Sequence, residues 1–152
     1  MMNRIWERTA CLVLWIGGTL VFTTGLLHLW ATSYVMQLFE SGEAGSQSDV
    51  ALAAAFINHV VVGVLLLPLG VSLACTAWPL ARKEPWSVAV GVGNCLALLA
   101  LPAILVIAVR PAMLDAPAFV AAVAMLTGAA FLVTGAVLIL ALRPSAAVSP
   151  FR

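Results

Sequence analysis

The sequence predicts an all-α, integral membrane four-helix bundle, and three observations carry that expectation. Seven basic and six acidic residues are present, yet residues 9–39, 50–81, 85–109 and 116–142 contain none of them. Each of these stretches is long enough to span a bilayer, because about 20 apolar residues rising about 1.5 Å each cross a hydrocarbon core of about 30 Å. Finally, the chain is 64% hydrophobic and 9% charged, where a soluble domain carries roughly 25% charged residues. In lipid the backbone must satisfy its own hydrogen bonds, which leaves helices or a closed barrel. Barrel strands alternate in polarity over about ten residues, whereas these runs are continuous and longer. The 152 residues read as one four-span domain, residues 1–152.

The first helix is expected over about 11–39. Arg4 and Arg8 precede it, Trp6 and Trp15 bracket its start, and Trp30 and Tyr34 approach its far end, the depths that aromatic rings favour. It is longer than the apolar core of a cleaved signal peptide, so it is read as retained. The Gly/Ser-rich stretch 41–49 reads as a solvated loop, with Ser48 or Asp49 capping the next helix. The second helix is expected over 50–79, kinked at Pro68, and the third over 86–109, kinked at Pro102. The short turn at 80–84 makes these two antiparallel neighbours, with Trp78 and Trp86 at one interface. Asp115 followed by Pro117 marks the start of the fourth helix, 117–142, and Arg143-Pro144 its end.

The charges orient the bundle. Arg4, Arg8, Arg82, Lys83, Arg143 and Arg152 fall on one side and Arg110 alone on the other, while Glu40, Glu43 and Asp49 occupy an outer loop without Lys or Arg. The positive-inside rule makes the basic side cytoplasmic, with both termini inside. No basic stripe for nucleic acid exists. Ala, Val, Leu and Arg are abundant and Lys scarce, a composition associated with GC-rich bacteria, so the expected location is a bacterial inner membrane. Cys11, Cys75 and Cys95 form no CxxC pair and read as packing residues. Gly18 and Gly25, Gly63 and Gly70, and Gly128 and Gly135 each stand seven residues apart. Each pair therefore lies on one helix face, and small faces let helices approach closely in lipid.

The functional candidates are few. His28 and His59 both lie inside spans, eleven residues before Phe39 and nine after Val50. They belong to consecutive antiparallel helices, so both fall about 13–17 Å below the outer boundary. A strongly polar side chain at such depth is a candidate site by default. Thr24 and Thr32 neighbour His28 on its helix, and Asn94 is a further intramembrane polar residue, nearer the basic side. Paired imidazoles at equal depth are the donor set that a b-type haem iron takes from two helices; a zinc or copper site would lack two ligands. Hydrogen bonding between the histidines, or to Thr24, Thr32 or Asn94, is the structural alternative.

No catalytic set is present: there is no GxSxG, HExxH or P-loop, and no acid within a span. Intramembrane acids for a proton path or a small exporter are missing as well. Three functional readings therefore stand. The leading one is an accessory or structural subunit packed against other subunits, or against itself, in a larger bioenergetic membrane complex. The second is a small electron-transport cytochrome in which His28 and His59 hold one haem b and exchange electrons with quinone. The third is a small-solute or lipid-binding membrane protein with a cavity near the histidines.

Overall fold

The computed structural model describes residues 2–41, 49–108 and 117–143. The polar loop around Glu43, the cap expected at Ser48, Arg110, the Asp115 cap and the tail from Pro144 lie outside the described residues. The described residues form four helices: α1 (Met2–Glu40), α2 (Asp49–Ala81), α3 (Pro85–Ala108) and α4 (Pro117–Leu142). No strand occurs among them. Each helix contains a segment long and apolar enough to cross a membrane, namely Ile5–Tyr34, Phe56–Ala81, Pro85–Ile104 and Val123–Leu142. The chain is a small multi-pass membrane protein with an all-α, four-helix architecture.

The bounds of α4 are those expected, and α3 shifts by one residue. α1 differs more: it starts at Met2, nine residues before Cys11. The apolar run marks where lipid begins, not where the helix must end. Residues 2–10 contain neither Pro nor Gly, and extending an existing helix is far easier than starting one. Glu7 gains an ion pair there, 2.5 Å from Arg143 beyond α4. α2 likewise continues through both Pro68 and Pro79 to Ala81.

α1 packs along α2, α4 lies against α1 and α3 and more lightly against α2, and α2 lies against α3; α1 and α3 do not touch among the described residues. The helices thus follow one another around the bundle. The buried apolar core is gathered at the basic half: Leu14 of α1, Leu73 and Leu80 of α2, Leu98 of α3, and Val133, Val137 and Leu140 of α4. Towards the opposite end large side chains turn outward, among them Ile104, Ile107 and Met125, as lipid allows without penalty.

Two of the three glycine pairs build the α1–α2 seam. A Cβ on Gly18 would stand 2.6 Å from the Gly70 carbonyl oxygen, and one on Gly70 would stand 2.6 Å from the Gly18 oxygen. Two turns along, a Cβ on Gly25 would meet the Gly63 oxygen at 2.9 Å. The backbones themselves are in contact, and only residues without a side chain permit that. The third pair departs from the expectation of a packing face. A Cβ on Gly128 or on Gly135 would meet nothing within 4 Å. The seven-residue spacing places two glycines on one face of a helix but does not choose the face that a neighbour within the same chain occupies.

Candidate functional site

His28 and His59 meet. Their rings stack with centroids 4.4 Å apart and planes inclined by 18°. The backbone brings them together through the glycine seam. His28 stands three residues beyond Gly25, and His59 four residues before Gly63, so both lie one turn beyond the Gly25–Gly63 contact. Both rings are half-buried. Nδ1 of His59 is buried and has no hydrogen-bond partner among the described residues, a cost of about 1–3 kcal/mol for a buried polar atom.

The polar residues expected near the histidines behave differently. Thr24 donates its hydroxyl to the Leu20 carbonyl at 2.8 Å and faces outward. Thr32 is buried and donates to the His28 backbone carbonyl at 2.9 Å, not to its ring. Both hydroxyls satisfy themselves on their own helix, four residues back, as Ser and Thr do in apolar surroundings. Asn94 does not reach the histidines either. Its amide donates to Ser72 Oγ at 3.0 Å, and that hydroxyl lies 3.3 Å from Asn94 Oδ1 in return. The signal for this pair was present in the sequence: Ser72 and Asn94 stand ten residues on either side of the turn 82–84, and antiparallel neighbours place such residues at one depth.

A second polar cluster, which sequence reasoning took only as a topology signal, closes the basic end. α2 ends in a Schellman motif: the Lys83 amide donates to the Leu80 carbonyl at 3.2 Å and the Glu84 amide to Pro79 at 3.1 Å. Lys83 occupies the left-handed position with φ of 64°, which glycine usually takes. Its side chain explains the choice. The ammonium donates to the carbonyls of Ala141 and Arg143, at 2.8 and 2.6 Å, and so caps the C-terminus of α4. The Arg143 guanidinium in turn donates to the Ala81 carbonyl at the end of α2 and pairs with Glu7 of α1. Partial burial, and then the neighbouring Arg143 charge, hold the Lys83 ammonium below its usual range. Beside the latch, fully buried Ser87 donates to the Glu84 carbonyl at 2.6 Å and helps start α3. Lys83 and Arg143 each follow a helix whose last carbonyls need donors, and that was the readable signal.

The histidine pair can be tested against haem. Metal–imidazole bonds are about 2 Å long, so a bis-histidine iron holds two nitrogens about 4 Å apart with the porphyrin plane between them and the rings edge-on to the metal. Here the rings lie face to face, and the helices carrying them touch backbone to backbone one turn away. Among the described residues this packing leaves no slot for a porphyrin between α1 and α2, and the two histidines as placed do not fit a bis-histidine haem. No group of three His, Cys, Asp or Glu side chains among the described residues is placed to hold a metal ion.

Comparison with protein families, curated proteins and solved structures finds no match to this chain. Its class therefore rests on its own physics: four membrane-spanning helices, closed at the basic end by a charged latch and sealed between α1 and α2 by glycines and a histidine stack.

Proposed function

We propose that this chain is an accessory membrane subunit, whose α4 packs against a span of another protein or of a second copy. The observation that carries the reading is the open face at Gly128 and Gly135. Within the chain, glycines at the same spacing on α1 and α2 are in backbone contact, whereas the α4 pair meets nothing within 4 Å. Beside Gly135 a shallow groove of about 210 Å³ runs between α1 and α4, lined by Val13, Phe131 and Ile139 among others. A small-residue face next to an apolar groove is the shape into which a transmembrane helix packs, since association in lipid is driven by close fit. The lack of a catalytic set agrees with a packing role.

The test is co-purification from the native membrane in mild detergent, comparing the wild type with Gly128→Leu/Gly135→Leu. The expected result is a larger assembly for the wild type and the lone subunit for the variant, with thermal unfolding not lowered, because a Cβ at either glycine meets nothing within 4 Å and leucine favours the helix over glycine. A wild type that runs alone in every mild detergent and after in-membrane crosslinking, or a variant that keeps its assembly, overturns the reading.

A further inference from the structure

We propose that the groove between α1 and α2 at the basic end is a binding site for an anionic phospholipid of the surrounding bilayer. The groove has a volume of about 800 Å³, and Arg8 and Arg82 flank its polar end. Leu12, Trp15, Ala74 and Trp78 form an apolar wall running from those arginines towards the bilayer interior. The spacing of Arg8, Leu12 and Trp15 along α1 is that of one helix face, about 10 Å long. Small residues on α2, Ala74 among them, leave the room that bulkier ones would fill.

The charges in and around the groove decide what it takes. Glu7, the acid at its edge, is already held by Arg143. Arg8 and Arg82 have no carboxylate partner among the described residues. The Arg82 guanidinium instead lies 5.2 Å from the centre of the Trp78 ring, a cation–π contact just past the end of the Phe56–Ala81 span, where interfacial tryptophans are common. Two unpaired guanidinium groups above an apolar trough match one molecule with a phosphate head and an acyl tail. The phosphate accepts hydrogen bonds from Arg8 and Arg82, and the chain lies along Leu12, Trp15 and Ala74. An acidic peptide would satisfy the arginines but would leave the inner trough against lipid. A zwitterionic lipid lacks the net charge that two cations select.

The test is native mass spectrometry of the full chain, released from nanodiscs made of equal parts phosphatidylglycerol and phosphatidylcholine. The wild type is expected to retain phosphatidylglycerol with about a thirtyfold preference, the factor expected of two basic residues acting together at a membrane surface. Arg8→Gln/Arg82→Gln should bring the two lipids to parity. Arg8→Lys/Arg82→Lys keeps both charges and should keep most of the preference, which separates charge recognition from loss of fold. Inorganic phosphate added at millimolar concentration should not displace the lipid, because it has no acyl chain for the trough. Equal retention of both lipids by the wild type overturns the proposal, as does a preference that survives in the glutamine variant, and as does displacement by phosphate alone.

Discussion

Gly70→Ala is the perturbation for which the structure gives the sharpest magnitude. The added methyl would meet backbone atoms of α1: the Phe22 nitrogen at 2.5 Å, the Gly18 oxygen at 2.6 Å and the Phe22 Cα at 2.8 Å. No rotamer change can relieve such contacts. To bring the Gly18 approach out to an ordinary 3.4 Å, α1 and α2 must part by about 0.8 Å. A gap of that size forfeits a quarter to a half of each dispersion contact along the seam, and in lipid that packing is most of what holds two helices together. Overpacking of this kind costs about 3 kcal/mol. Alanine returns about 1 kcal/mol through its better helix propensity, so the net loss is about 2 kcal/mol. Gly128→Ala is the matched control. Its methyl enters open space, so only the propensity gain remains and the bundle should become more stable by about 0.5–1 kcal/mol. The assay is reversible denaturation in mixed micelles, with helix content as the readout. If the two variants shift stability in the same direction, the glycine seam is not what holds α1 to α2.

Further predictions concern the polar sites. Lys83→Met removes both bonds to the end of α4 and should cost about 1–2 kcal/mol at this partly exposed site, whereas Lys83→Gly relieves the positive φ and should lose about 1 kcal/mol less; equal melting points for the two would refute the strain. Because Lys83 has its folded-state pKa below the usual value near 10.5, the unfolded chain holds the proton more strongly between the two values. Its contribution to stability should therefore rise as pH climbs through that window towards 10.5, and the rise should vanish in Lys83→Met. A double-mutant cycle on Ser72→Ala and Asn94→Ala should give a coupling of about 0.6–1.7 kcal/mol; strict additivity would mean the pair is not bonded in the membrane. The reduced-minus-oxidised optical spectrum of the gently purified protein should lack the sharp α-band of a b-type haem. A band that disappears in both His28→Ala and His59→Ala would show that the α1–α2 seam opens to admit a porphyrin.

What the sequence made legible is what the bilayer dictates. Charge exclusion located all four spans, and the proline-marked start and arginine-marked end of α4 fell where they were read. The meeting of His28 and His59 followed from counting residues either side of one loop, because antiparallel geometry converts equal spacing into equal depth. Illegible were the features that depend on which neighbour arrives. Gly18, Gly25, Gly63 and Gly70 share their spacing with Gly128 and Gly135, yet the first four touch backbone and the last two touch nothing. Nothing in a seven-residue period records the rotation of a helix about its own axis. The start of α1 was missed for a different reason: its first turns lie beyond the apolar run, and the Arg143 partner of Glu7 is 136 positions away.

The two ends of the α1–α2 hairpin are fastened by different chemistry. At the basic end, Glu7, Ala81, Lys83 and Arg143 join the beginning of α1, the end of α2 and the end of α4 through charged hydrogen bonds. Towards the other end, backbone contact and the stacked imidazoles join α1 to α2 alone. Among the described residues α3 approaches α4 through side chains and not backbone: a Cβ on Gly91 would stand 3.3 Å from Val137 of α4, while Gly93 and Gly128 are open. Among the described residues the backbone-to-backbone seam is therefore confined to the hairpin and the open small-residue face to α4. Lipid neither penalises an open small-residue face nor fills it closely. α4 is held at Arg143 and open at Gly128 and Gly135, and this asymmetry supports placing the docking face there and not on the hairpin.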